Sequence, residues 1–350
     1  MLKAEVRALF LVAQQVDQWQ SCAIANLNFA PLRQQMTPLS PSETFGKICT
    51  FMATIPFYQV LPLIAIERRV ASALGREQFI YFEDKQGRPA GYASWIWLTD
   101  DEEEEYLRDP LNMSGLPKEK LTAKQAGETA KLWIVDFCGR ASAAPKIARH
   151  LRQRLAKDHP DLAGAKAVRW SKRYPFPFLR RYVTGTTLPP HGPGTAAPIQ
   201  RKARLEDVYD LAPRMRWQDR EEVRLNSGRN PFEALFNGYK RSRVSYAFEF
   251  YDRCIGMFGL ADTGNEEGSG MIWLLSNDTL QDHPMFKARI GKKFVDEGLQ
   301  IYPKLMNFVH EDSQQDTMEW LKFLGFEFTE ADENHNQRGG KFWKFEKCWK

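Results

Sequence analysis

Apolar positions along this chain fall into helical and extended patterns, in an order that occurs twice. Residues 2–20 carry Leu9, Leu11, Val12, Val16 and Trp19 near helical spacing and predict a helix. Residues 26–44 are turn-rich. Ala53–Pro62 (ATIPFYQVLP) is a proline-bracketed turn that leads into an apolar helix over 62–74. Strands are predicted over 78–82 and 90–98, joined by Asp84-Lys85-Gln86-Gly87, a hairpin loop with glycine. Residues 109–127 look irregular. Leu132–Phe137 (LWIVDF) lies in a strand over 131–137, an apolar run of the kind buried on both faces, ending on a carboxylate. An amphipathic helix follows over 144–157, with Ile147, Leu151 and Leu155 on one face, and then a strand over 165–174.

Thr184–Pro198 (TGTTLPPHGPGTAAP) can bury little and reads as a linker. Beyond it, helices are expected over 205–215 and 231–240. Strands follow over 244–250, 255–261 and 271–276, then a helix over 285–301 and a strand over 304–309. A helix over 317–324 and strands over 326–329 and 342–346 close the chain. The expected organisation is a helix and connector (1–44), a first domain (45–183), the linker (184–198) and a second domain (199–350).

A length of 350 residues suits two cores, and 43% hydrophobic with 27% charged residues excludes disorder as the default. No apolar run approaches the roughly 18–20 residues of a membrane span. The short run Ala8–Ala13 lies beside Glu5 and glutamines, which spoils a signal-peptide reading. Five widely spaced cysteines, with no Cys-x-x-Cys pair, indicate neither a zinc site nor a disulfide framework, and a reducing cytoplasm is expected. The net charge of +5 is unevenly spread. Residues 146–181 hold eleven Lys/Arg against two acids, which fits either a solvated helix face or a surface for an acidic partner. Asp100–Glu105 is a run of six acids, read as a solvated loop or helix start.

Taken together, Ala53–Pro62, Gly91-Tyr92-Ala93-Ser94-Trp95 and Leu132–Phe137 resemble the toxin-activating lysine acyltransferases that acylate RTX protoxins. The resemblance covers about Phe45–Tyr182. It implies a catalytic pair formed by a histidine in the Pro-x-His segment and the strand-end aspartate. Asp136 occupies the aspartate position, and Tyr58 stands where the family has histidine. It also implies an acyl-loaded acyl carrier protein as co-substrate, a protein lysine as acceptor, a cytoplasmic location and a homodimer. No separate cofactor or metal is expected. A phenol, with an ordinary pKa near ~10, is a poor substitute for imidazole as a base at neutral pH. His150 reads as a surface or packing residue, Cys138 as a buried thiol, and Trp95 and Trp133 as core aromatics.

Gln314–Phe326 (QQDTMEWLKFLGF) resembles the closing helix, glycine cap and strand of GNAT-type N-acyltransferases. Over 199–350 the chain is similar to the GNAT-like internal virion proteins of short-tailed phages. The segment in the place of the GNAT phosphate loop, Phe286–Lys292, has one glycine, and Leu321 stands where a proton-donating tyrosine is usual. This predicts a degenerate domain without acetyl-CoA chemistry, its basic residues from Lys287 to Lys293 forming a solvated face. The fold class expected is α/β, with two tandem GNAT-like domains, each a mixed sheet flanked by helices. Two functions remain open. One is acyl transfer from a carrier protein to a protein lysine. The other is a non-catalytic phage internal virion or assembly protein that binds other virion proteins.

Overall fold

The computed structural model describes residues 33–34, 40–117, 120–121, 130–140, 143–160, 162, 164–171, 174–183, 197–263, 268–311, 315–333 and 340–349. The helix expected over 2–20 and nearly all of the expected linker lie outside these residues. The chain divides into two compact units, Met1–Pro190 and His191–Lys350. Each is a mixed sheet flanked by helices, the architecture expected from the sequence.

In the first unit, β1 (Arg33–Gln34) is followed by α1 (Pro41–Met52), α2 (Pro56–Gln59) and α3 (Leu63–Arg76). Then come β2 (Phe79–Glu83), β3 (Pro89–Leu98), α4 (Asp100–Arg108), β4 (Lys131–Gly139), α5 (Ala144–Asp158), β5 (Gly164–Ser171) and β6 (Tyr174–Val183). The six strands lie in sequence order. All neighbours are antiparallel except β4 and β5, which α5 connects and whose one registered pair is Trp133 with Lys166. A crossover helix is what a parallel pair requires.

Local chemistry sets several boundaries. The Ser40 hydroxyl caps α1 by accepting from the Glu43 amide at 3.2 Å, with Pro41 in the first turn. Thr99 and Glu102 form a capping box, so the acidic run is a helix start whose carboxylates face the positive helix end. One of those acids is not solvated: Glu103 is buried and accepts from the Trp133 indole (2.7 Å), Lys166 (3.0 Å) and Lys131 (3.3 Å). The expected strand over 165–174 is two strands. β6 carries Pro175 and Pro177, which lack the amide a central strand donates, and it sits at the sheet edge. Helix α1 has no counterpart among the sequence expectations.

Two apolar clusters cover the two faces of this sheet. Ile80, Phe82, Ala93, Trp95, Leu132 and Ile134 pack with Ile147, Leu151 and Leu155 of α5. Tyr81, Tyr92 and Cys138 pack with Ile48, Phe51 and Met52 of α1, Tyr58 of α2 and Val70 of α3. Alternation along β2 assigns even positions to the α5 face and Tyr81 to the other. Along β4 that alternation breaks. Ser94 pairs with Asp136 but the next residue, Trp95, pairs with Ile134, so Val135 is an extra residue, a β-bulge. Leu132 and Ile134 face α5 before the bulge. After it Phe137 packs with the α5 cluster, while Asp136 and Cys138 face α1–α3. A regular strand would have aimed Asp136 into the apolar core under α5. The strand also runs on to Gly139, so Asp136 lies inside it and not at its end.

The second unit contains β7 (Ile199–Lys202), α6 (Leu205–Leu211), α7 (Trp217–Ser227), α8 (Pro231–Arg241), β8 (Ser242–Phe250), β9 (Arg253–Asp262) and β10 (Ser269–Ser276). It continues with α9 (Pro284–Ile301), β11 (Lys304–His310), α10 (Gln315–Phe323), β12 (Glu327–Asp332) and β13 (Phe342–Cys348). Its strand order is β12-β13-β11-β10-β9-β8-β7, and β10–β11 is the parallel pair. That pair registers only from Ser269 to Met271 against Lys304 to Met306, and beyond it the Asn307 amide donates to the Ile272 carbonyl at 2.7 Å. Gly325 has φ of +87°, the left-handed cap expected between α10 and β12.

The bulge yields a test. Deleting Val135 should restore regular alternation with Asp136 still opposite Ser94 on the α1–α3 side, and should remove the bulged carbonyl that accepts from Arg69, at a cost of about 1–3 kcal/mol beyond that of Val135→Ala. Val135→Ala keeps the residue count and should cost only about 0.5–3 kcal/mol in chemical unfolding. A deletion variant that unfolds like Val135→Ala would show that the bulged carbonyl does not help to hold Arg69.

Candidate functional site

The two residues singled out by sequence, Tyr58 and Asp136, are in contact. The Tyr58 hydroxyl donates to Asp136 Oδ1 at 3.1 Å. Tyr58 comes from the one-turn helix α2, which starts at Pro56, whose fixed φ suits a first helical position. Asp136 is 0% exposed. A bare carboxylate at such a place would cost several kcal/mol, so its partners decide whether the fold tolerates it.

Those partners are three. Arg69 Nε donates to Oδ1 at 2.9 Å, Ser94 Oγ to Oδ2 at 2.8 Å, and Tyr58 completes the set. Arg69 is itself 3% exposed. Its remaining donors reach the carbonyls of Pro110 (2.8 Å), Leu111 (2.9 Å) and Val135 (2.9 Å). The last is the carbonyl of the bulged residue. The bulge therefore presents both the carboxylate and a carbonyl to one guanidinium, whose planar fork suits two acceptors at once. Burial opposes the charge on Arg69, but the Asp136 carboxylate, together with the Tyr58 and Tyr106 hydroxyls, raises the guanidinium pKa above its ordinary value.

Burial, with the Asp136 charge adding to it, pushes the Tyr58 phenol well above its ordinary pKa of 10.0. The neutral phenol is the form present near neutrality, so Tyr58 donates hydrogen bonds and does not accept protons. Burial first, then Asp136, likewise raises the Cys138 thiol, which keeps it a thiol and not a nucleophile. The Tyr92 hydroxyl, opposite Cys138 on β3, is buried without a hydrogen-bond partner. An unsatisfied buried hydroxyl is costly, and here it adds a free donor to the polar cluster.

His150 does not join this cluster. Its Nδ1 lies 2.9 Å from the Lys146 carbonyl and its ring meets Phe82 edge-on, on the α5 face. Trp95 and Trp133 are core residues. Sequence reasoning missed Arg69, although a signal was present. On α3 the buried positions include Ala65, Arg69, Val70, Ala73 and Arg76, so a cation recurs on the apolar face at helical spacing. A cation there needs an inward-facing acceptor.

In the second unit, Phe286–Lys292 lies inside α9, which starts at Pro284, and is not a loop. Lys287 is 8% exposed, which corrects the solvated face expected from Lys287 to Lys293; Arg289, Lys292 and Lys293 are exposed as expected. Leu321 is buried against the core of this unit. Among the described residues no group of three His, Cys, Asp or Glu is placed to hold a metal, and no helix is long and apolar enough to cross a membrane.

Removing one member of the buried pair should be costly. Arg69→Met leaves Asp136 buried without its counter-charge, and unfolding of the first unit in urea should show a loss of about 3–5 kcal/mol. The double variant Arg69→Met, Asp136→Leu replaces both charges with apolar groups and should recover most of that loss. A double variant no more stable than Arg69→Met would mean that the ion pair is not what holds α3 to β4.

Residues 37–173 match the family model of HlyC, the RTX toxin acyltransferase family. A curated relative, the RTX-II toxin-activating lysine-acyltransferase ApxIIC of Actinobacillus pleuropneumoniae, is 26% identical over 116 residues, 33% of this chain and 67% of the relative. Similar solved structures include the ribosomal-protein-S18-alanine N-acetyltransferase of Escherichia coli (9% identity, 43% of this chain and 94% of that chain, TM-score 0.33). Another is a Bacillus subtilis acetyltransferase in complex with CoA (10% identity, 44% of this chain and 98% of that chain, TM-score 0.33). The family match spans both Tyr58 and Asp136, so the unit that holds the buried cluster is acyltransferase-like in sequence.

Proposed function

We propose that the first unit transfers an acyl group from a loaded acyl carrier protein to the ε-amine of a protein lysine. The observation that carries this reading is the contact between Tyr58 and Asp136 inside the segment similar to the RTX toxin acyltransferases. In the reaction, the neutral amine attacks the thioester carbonyl, the C–N bond forms and the C–S bond breaks. The amine gives up its surplus proton and the carrier thiolate takes one.

The chemistry of the cluster limits how the chain assists. A phenol held above its ordinary pKa by burial and by Asp136 does not take the lysine proton at neutral pH. The single O–H of Tyr58 is given to Asp136, so Tyr92, whose hydroxyl has no partner, is instead the donor for the oxyanion that forms when the amine adds, a role that needs a positioned O–H and no titration. Asp136, with Arg69 and Ser94, fixes the Tyr58 ring. The acceptor must then arrive as the free amine, a small fraction of lysine at pH 7 given its pKa near ~10.4.

Turnover should therefore rise about tenfold per pH unit between roughly pH 7 and 9, following the free amine. Tyr58→His places an imidazole against Asp136, with a pKa near ~6.5, and should flatten that dependence and raise the rate at pH 7 by about 10²-fold or more. Tyr58→Phe should lower turnover at every pH without changing the slope. The measurement is single-turnover transfer from an acylated carrier protein to a lysine peptide. A wild-type profile already flat across that range would show a neutral-range base in the cluster and overturn the donor role. No transfer at any pH, to any lysine substrate, would overturn the acyltransferase reading.

A further inference from the structure

Arg76 is a buried cation that takes no part in the hydrogen bonds to Asp136. It ends α3, about two turns after Arg69, and is 4% exposed. Its partners are neutral. Nε donates to Gln78 Oε1 at 2.9 Å, and the two remaining nitrogens donate to the carbonyls of Leu121 and Trp95. Among the described residues no carboxylate pairs with it. Buried charges are ordinarily paired, because taking a lone charge out of water is costly.

The position of Arg76 relates it to the polar cluster. The Trp95 carbonyl that it reaches follows Ser94 on β3, and Ser94 holds Asp136 Oδ2. Tyr92, with its unpartnered hydroxyl, lies two residues before Ser94 on the same face of the strand. Burial lowers the Arg76 pKa to about 10, against the opposing effects of Tyr92 and Asp136, so the group is charged at neutral pH. Asp136 is matched by Arg69, and burial keeps the Tyr58 and Tyr92 phenols neutral. Arg69, Arg76 and Asp136 together therefore carry one positive charge in excess.

We propose that Arg76 supplies the positive field that stabilises the oxyanion received by the Tyr92 hydroxyl. This role rests on the acyl-transfer reading of the same cluster. As the amine adds, the C=O electron pair moves to oxygen. It returns when the C–S bond breaks and the thiolate leaves. The negative charge on oxygen exists only between those two events. A fixed, buried cation favours that state over the neutral thioester and needs no reorganisation when the charge appears. Arg76 touches no reacting atom and acts through the Tyr92 site, as a positioning residue.

Gln78→Glu tests the role with Arg76 left in place, since it sets a carboxylate against Nε and cancels the excess charge. Single-turnover transfer at saturating carrier protein should slow at least about tenfold, with the half-saturating concentration changed less than about twofold. Arg76→Gln should slow it comparably, and decides the matter if Gln78→Glu fails to fold. A second readout needs no turnover. In a Tyr58→His background, the imidazole pKa followed by NMR should rise by about one unit when either substitution is added. Rates equal to wild type in these variants, or an unmoved imidazole pKa, would overturn the role of Arg76 and leave the acyltransferase reading standing. A wild-type chain that transfers to no lysine substrate would overturn that reading, and this role with it.

Discussion

The first unit depends on the ion pair between Arg69 and Asp136, formed where neither charge can reach water. Burying an unpaired carboxylate is prohibitive, so helix α3 and strand β4 are held in the one arrangement that joins the two groups. The Val135 bulge makes this arrangement possible. It turns Asp136 away from the α5 core and frees the Val135 carbonyl for the same guanidinium. Tyr58 reaches the carboxylate because the α2 turn is tied to the start of α3. A single backbone irregularity therefore locates the pair, the arginine and the phenol together.

This network also fixes the chemical character of the site. A histidine at position 58 would share its proton with Asp136 and titrate near neutrality. A tyrosine in the same place makes the same kind of hydrogen bond but keeps its proton. The geometry of a donor resting on a carboxylate survives the exchange, while the ability to act as a base does not. Buried hydroxyls at Tyr58 and Tyr92 supply polarity without a titrating group.

The two units share a plan and differ in what they bury beside it. Each has antiparallel strands, then a crossover helix leading to a parallel strand whose registered pairing is short. In the first unit the polar cluster at β4 is satisfied by internal partners, apart from the Tyr92 hydroxyl. In the second, the space beside β10 is lined by aromatic and aliphatic side chains such as Phe258, Leu274 and Phe294. One plan thus presents a compensated charge cluster in one case and an apolar space in the other.

Periodicity alone located the helices α3, α5, α8, α9 and α10, and the strands β2 to β4 and β8 to β11, because each buries one face or one stripe at a regular spacing. The glycine cap at Gly325 was legible for the same local reason. The edge strand β6 was not separated from β5, since its prolines mask a strand signal that only edge placement permits. Tyr58 and Asp136 were legible through a resemblance carried by short segments, and the tertiary structure decided that they touch. Arg69 lay in plain view on the buried stripe of α3, but its partner is 67 positions away in sequence. The side of the sheet that Asp136 faces depended on one extra residue in β4. No sequence pattern reports that residue, because alternation states which positions share a face only while the strand stays regular.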